Sequence, residues 1–351
     1  MTGRLFFLKS CHCEEERRSN LLALYIITTR LPRFARNDNF VYIMHYPTTL
    51  LMIRPAAFGF NEQTAASNAF QKPDDQQPDV QDKALQEFDA FVDLLRGNGV
   101  QVIVINDTPE PHKPDAVFPN NWISFHDNGD IFLYPMQAEN RRLERREDII
   151  RQLETQFSVR HVIDLSRFEL QGKFLEGTGS MVFNREDKIV YACLSPRTNA
   201  EVLSTFCKQT GYQPIIFHAF DEQGRAIYHT NVMMCVADRY VVICLNSITD
   251  KDERQAVVQS FFETGKNIFD ISFEQMNQFA GNMLEVFNKD GESLLVMSEN
   301  AYRSLNDRQI ATLQQFSRIL RSDIPTIEQN GGGGVRCMLT EVDLPLLVAG
   351  A

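Results

Sequence analysis

Short apolar runs alternate with helical periods along most of the chain. Leu50-Leu51-Met52-Ile53 is an apolar run of strand length, and positions 84, 85, 88, 91, 92, 94 and 95 fall on the helical period over Lys83–Leu95, before Gly97 and Gly99. Val100–Ile105 then reads as a buried strand. A hairpin is predicted from Trp122–Phe125 and Ile131–Tyr134 around Asn128-Gly129, followed by a helix over Arg141–Gln156 and a strand over Val159–Asp164. The cycle returns with strands Gly179–Phe183 and Ile189–Ala192, helix Asn199–Thr210 and strand Pro214–Phe217. It returns again with strands Val232–Val236 and Tyr240–Cys244 and helix Asp250–Thr264. The last unit holds the segments Ile268–Ile271, Phe273–Phe279, Met283–Phe287 and Ser293–Met297, a helix over Asp307–Phe316, and a short strand over Met338–Val342.

Hairpin, helix and closing strand thus recur roughly every 50–60 residues, the mark of structural repeats. Such units cannot bury their apolar faces alone, so they are expected to close around a common axis with loops converging at the centre. An open doubly wound sheet is the rival architecture, but no strand runs into a phosphate-binding glycine loop. The segment Glu176-Gly177-Thr178-Gly179-Ser180 is a weak look-alike and is expected to enter a strand rather than a helix.

With 351 residues and 43% hydrophobic content the chain can bury a large core, and a net charge of −11 speaks against nucleic acid and against a membrane surface. Cys11, Cys13, Cys193, Cys207, Cys235, Cys244 and Cys337 form no even framework and no paired CxxC, which points to a reducing, cytoplasmic compartment. Residues 1–43 look foreign to the rest. They are basic, their apolar stretch Leu21–Ile27 is too short to span a bilayer, and no small-residue cleavage site follows it. They resemble translated repetitive DNA that recurs beside bacterial genes. The expectation is an upstream start-site error, with Met44 the true beginning and 44–351 a single catalytic domain.

Candidate chemistry gathers in short segments at strand edges, where a rigid scaffold presents loop side chains. They are Pro114–Trp122, with Asp115, Phe118, Asn120 and Asn121; Phe174–Gly179, with Glu176; Tyr228–Met234, with His229 and Asn231; and Gly331–Met338, with Cys337. Each has a bland alternative: turn capping, a solvated acid, a core histidine, or a flexible linker before a buried cysteine. Against the linker, a strand-like segment follows the glycines at once, and Arg336 beside the thiol is expected to favour the thiolate. Metal ligands at zinc-protease spacing and a nucleophile-elbow serine are absent from the sequence.

Together these segments resemble the pentein, or guanidine-modifying, superfamily of arginine deiminases, dimethylarginine dimethylaminohydrolases and glycine amidinotransferases. The likeness runs from Thr49 to Leu344 in the expected order, and Gly-Gly-Val-Arg-Cys-Met is its most specific element. It implies an α/β fold, a five-bladed propeller of ββαβ units with the active site in the central channel. It also implies a hydrolase of non-peptide C–N bonds with Cys337 as nucleophile, His229 as acid/base and Glu176 as the carboxylate that holds substrate nitrogens. Arg141, in Asn-Arg-Arg-Leu-Glu, and Arg197, in Leu-Ser-Pro-Arg-Thr-Asn, align with arginines that grip a substrate α-carboxylate. For Arg141 the bland alternative is an exposed helix, since Arg142, Arg145 and Arg146 crowd beside it. No cofactor is required.

Two departures bear on the substrate. Asn121 and Asn231 stand where deiminases carry aspartates, and an asparagine both donates and accepts, matching a neutral urea better than a guanidinium. Phe-Pro-Asn-Asn-Trp and Tyr-His-Thr-Asn-Val-Met-Met resemble the citrulline-utilising branch. The expected reaction is therefore citrulline to ornithine, ammonia and carbon dioxide. Arginine or a methylated arginine is the runner-up, because Asp115 and Glu176 remain. Amidinotransfer to an amine and an inert binding propeller are further alternatives, and a homo-oligomer is compatible with the sequence.

Overall fold

The computed structural model describes residues 47–65, 67–68, 70–72 and 79–347. The segment 1–43, with its expected start-site boundary and Cys11-His12-Cys13, lies outside the described residues. The apolar runs read from the sequence become the middle strands of five three-stranded sheets. In the first, β1 (Thr49–Arg54) pairs in parallel with β2 (Gln101–Asn106), and α1 (Val80–Gly97) makes the crossover. This helix buries Ala84, Phe88, Phe91, Val92 and Leu95, the stripe its sequence period predicts. The next sheet joins β3 (Ile123–Phe125) antiparallel to β4 (Asp130–Leu133), and β4 parallel to β5 (His161–Asp164) after α2 (Glu147–Leu153).

The third sheet repeats this with β6 (Val182–Asn184), β7 (Ile189–Cys193), α3 (Ala200–Thr210) and β8 (Gln213–Phe217). The fourth has β9 (Met234–Val236), β10 (Tyr240–Ile243), α4 (Lys251–Glu263) and β11 (Asn267–Asp270). The fifth has β12 (Leu284–Phe287), β13 (Ser293–Ser298), α5 (Asp307–Leu313) and β14 (Arg318–Ser322). After α6 (Pro325–Gly331), β15 (Thr340–Glu341) returns to β1 antiparallel, Leu50 opposite Glu341 and Leu51 opposite Thr340. It supplies the missing first strand of the first blade and closes the ring of the expected five-bladed α/β propeller. Middle strands such as β10 are buried along their whole length, which is why they read as continuous apolar runs.

Several elements differ from expectation. The helix predicted over Arg141–Gln156 opens as a 3-10 turn, Asn140–Glu144, breaks at an extended Arg145, and resumes as α2. Arg141 and Glu144 face inward and pair with each other, so this is not an exposed helix. Strands expected from Gly179, Val232 and Met338 begin later, because the residues before them curl into single turns, Gly177–Ser180, Thr230–Met233 and Val335–Met338. The glycine segment after Glu176 therefore enters a helical turn before its strand. Phe273–Met276 is one helical turn capped by Ser272 and Gln275, and β14 and α6 went unpredicted.

Candidate active site

The five connections between blades end alike, in a tight turn just before a blade's first strand. Main-chain N–H bonds close them: Trp122 to Pro119, Gly179 to Glu176, Val232 to His229, Asn282 to Phe279, and Cys337 to Gly334. Most of the chemistry read from the sequence stands in these turns, and all of it is buried.

His229 Nε2 lies 2.7 Å from Glu176 Oε2, while Glu176 Oε1 accepts the Gln137 N–H at 3.0 Å. Burial alone would push the Glu176 carboxyl up, but Arg197, the His229 hydrogen bond and Arg141 outweigh it and hold the group well below the usual range. Burial pulls His229 down to about 4 against the opposing pull of Glu176. The resting pair is thus a carboxylate accepting from a neutral imidazole, which leaves Nδ1 as the free base. Gly179 makes room for that ring: a Cβ there would stand 2.8 Å from His229 Nδ1 and 2.4 Å from Asn121 Nδ2.

The Cys337 sulfur faces two side-chain amides, Asn282 Nδ2 at 3.4 Å and Asn231 Nδ2 at 3.6 Å. Arg336 turns its guanidinium away, to the Leu339 carbonyl at 2.7 Å and Glu341 at 3.0 Å. Its residual attraction and the amide bonds do not offset desolvation, and burial pushes the thiol up. Arg336 thus favours the thiolate in direction, as expected, but its pull is outweighed by burial.

Arg141 clasps Glu144 with two bonds, 2.8 and 2.9 Å, and donates to Asn121 Oδ1 at 2.8 Å and the Phe118 carbonyl at 3.3 Å. Asp115 Oδ2 accepts from Asn61 at 2.7 Å and sits 3.6 Å from Arg141 Nε. Burial raises the Asp115 carboxyl despite Arg141. Arg197 lies 3.4 Å from Glu176 and also donates to the Thr64 carbonyl at 3.0 Å and Ser67 Oγ at 2.6 Å. These bonds pull the loop after β1 over the site, where Asn68 Nδ2 reaches the Gly332 carbonyl at 3.3 Å. Gly332 has φ +64, and a Cβ would meet that amide at 2.5 Å.

Cys337, His229, Asp115, Phe118, Asn121, Arg141 and Arg197 line one cavity of ≈ 20 Å³, room for about one water. Glu176 and Asn231 stand behind it, each bonded to a lining residue. Asn120 is buried with both side-chain polar atoms unpartnered, as are Asn121 Nδ2, Asn231 Oδ1 and Asp115 Oδ1. No group of three metal-ligating side chains occurs among the described residues. The sequence reading missed Asn282, Glu144, Thr64 and Ser67. For Asn282 a signal existed: it precedes a blade's first strand, as Asn121 and Cys337 do.

The family model described as N,N dimethylarginine dimethylhydrolase, eukaryotic, matches residues 54–344. The chain belongs to this dimethylarginine dimethylhydrolase family. That family is part of the pentein superfamily. Among solved structures it is similar to ArgZ, an arginine dihydrolase from the ornithine-ammonia cycle in cyanobacteria, with TM-score 0.68 and 16% identity over 86% of this chain and 41% of that one. AgrE gives TM-score 0.67 and 18% identity over 86% of this chain and 40% of AgrE. The chain thus spans about two fifths of either protein. A dimethylarginine dimethylhydrolase family member from Pseudomonas aeruginosa, complexed with citrulline, matches with TM-score 0.60 and 16% identity over 85% of this chain and 100% of that one. No curated protein sequence matches. Among the described residues no helix is long and apolar enough to cross a membrane.

Proposed function

We propose that this chain hydrolyses a guanidino amino acid, arginine or a dimethylated arginine, through a covalent adduct on Cys337. The observation that carries the reading is the His229–Glu176 pair at 2.7 Å, whose imidazole lines one buried cavity with Cys337 in a chain of this family. The thiol passes its proton to His229, and the sulfur attacks the central guanidino carbon. Imidazolium then protonates the departing nitrogen as its C–N bond breaks. Neutral His229 takes a proton from water, whose oxygen adds to the adduct carbon and expels the thiolate, leaving a urea. Glu176 holds the imidazole, its negative charge stabilising the imidazolium that forms. Asp115 faces the cationic group, and Arg141 and Arg197 address the α-carboxylate. In the closed cavity a substrate finds room only when the Glu62–Ala65 turn and Asn68 draw back.

The citrulline preference expected from the asparagines becomes the second reading, since the family match favours the guanidino substrate. What still supports it is the unpartnered amide atoms Asn121 Nδ2 and Asn231 Oδ1. The test incubates protein with arginine, dimethylarginine and citrulline separately, with Cys337→Ala as control. Citrulline formed with release of ammonia or dimethylamine supports the first reading. Ornithine from citrulline alone would replace it with the second, and turnover that needs an added amine would make the chain a transferase.

A further inference from the structure

Asn282 has no part in the chemistry set out above. It is 1% exposed, and two main-chain groups fix its amide: Oδ1 accepts the Arg336 N–H at 3.1 Å, and Nδ2 donates to the Asn231 carbonyl at 2.9 Å. Turned end for end, the amide would set donor against donor and acceptor against acceptor, so one orientation is selected. In that orientation Nδ2 lies 3.4 Å from Cys337 Sγ and Oδ1 lies 3.8 Å from it. Gly334 is cut away to admit this amide, since a Cβ there would stand 2.7 Å from Asn282 Oδ1.

We propose that Asn282 is a further catalytic residue: its side-chain N–H holds the Cys337 sulfur and stabilises the thiolate that attacks the substrate. The inference rests on the reading of Cys337 as nucleophile. While the thiol is intact, its S–H faces Oδ1. When that bond breaks, the sulfur keeps the electron pair, the proton goes to neutral His229, and the Nδ2–H already aimed at the sulfur meets the new charge. A hydrogen bond to an ionised acceptor is about twice as strong as a neutral one, so the contact favours the charged state. The charged and titratable groups that share the cavity with the sulfur are Tyr228, His229, Asp115, Arg141 and Arg197, while Arg336 on its own turn points its guanidinium away and acts only through its charge. The sulfur's side-chain hydrogen-bond partners are Asn282 and Asn231, and the main chain at Gly334 adds to them.

The test titrates the Cys337 thiol in free enzyme, by thiolate absorbance and by iodoacetamide rate against pH, in Asn282→Ala and in the isosteric Asn282→Asp, with kcat and KM alongside and Cys337→Ala as blank. Both variants are expected to raise the thiol pKa by about one unit or more, cutting the thiolate fraction about 10-fold at fixed pH, with kcat/KM falling in step. Asn282→Asp should shift it further, because a carboxylate then faces the sulfur. An unshifted thiol titration in the folded variants, whatever happens to kcat, overturns the proposal and leaves Asn282 a packing residue. Should Asn282→Ala fail to fold, Asn282→Ser, which brings no charge to the sulfur, decides in its place. Activity surviving in Cys337→Ala would instead sink the reading of the nucleophile, while the titration of the Asn282 variants would still report the contact.

Discussion

Two sets of loops meet at the active end of the propeller, and they hold their residues differently. The turns before the first strands, carrying Glu176, His229, Asn282 and Cys337, are closed by their own main chain within three residues and leave room for little more than hydrogen at Gly179 and Gly334. The loops after the middle strands, carrying Asn61, Thr64, Asn68, Arg141 and Arg197, are held by side chains reaching far along the sequence, as when Arg197 binds Ser67. On the proposed roles, Cys337, His229 and Glu176 stand on locally determined backbone, while Arg141 and Arg197 stand on loops held by side-chain bonds that span the sequence. The difference predicts that damage to the first set appears in kcat and damage to the second in KM.

The largest effect belongs to the turns. Replacing His229 with Gln is expected to lower kcat by about 10²–10⁴-fold with KM changed only a few-fold, the loss proper to an acid/base group. A change confined to KM would break the division at its strongest point. Gly179→Ala drives a methyl group against His229 and Asn121, and a displacement on the order of 1 Å should cost about 10²-fold in kcat. Arg197→Lys keeps the charge and loses the fork that joins Glu176, Thr64 and Ser67, so KM should rise about 10-fold with kcat within a few-fold. An equal fall in kcat would show that Arg197 acts on Glu176 more than on substrate.

His126 sharpens the comparison from outside both sets. It is buried beside Ser124, which it meets at 2.9 Å, and desolvation holds it near 3, as burial holds His229 near 4. Below about pH 6.5 the unfolded chain binds protons that these native histidines refuse, so stability is full above that value and falls as pH drops towards 4. His126→Gln should lessen the slope of unfolding free energy against pH by about one proton in that range and leave kcat unchanged. The smallest effect is expected at Asn68, whose bonds to Gly331 and Gly332 are long at 3.4 and 3.3 Å. Its replacement by Ala should raise KM by only about 2–3-fold, as fits the loss of a weak neutral hydrogen bond.

The sequence was legible where one residue's behaviour depends on near neighbours. The middle strands announced themselves because both faces are covered, and α1 because its stripe meets the core at helical spacing. The break at Arg145 was not legible: Arg141 turns inward towards Asn121 and the Phe118 carbonyl, 20 and 23 residues back. Nor was the turn before β9, since the apolar Val232 and Met233 serve a turn or a strand, nor the one before β6, where Gly177–Ser180 carries no periodic apolar signal. β14 shows no apolar run because it is an edge, with Arg318 and Arg321 exposed. Among site residues, Cys337, His229 and Glu176 stood out by type and place. Asn282 shared the place but did not stand out by type, because an asparagine has many uses and the backbone groups that orient it lie 51 residues back and 54 further on.

The strand β15 gives the ring its last tooth, and the candidate nucleophile sits three residues before it. Glu176, His229 and both arginines lie on the second to fourth blades and their connections, whereas Cys337 follows the last blade in sequence. The pairing of Thr340 and Glu341 with Leu51 and Leu50 ties the backbone three residues past the thiol to the first blade, so the place of Cys337 depends on closure of the ring. On the proposed mechanism, turnover would then require a closed ring as well as the right side chains.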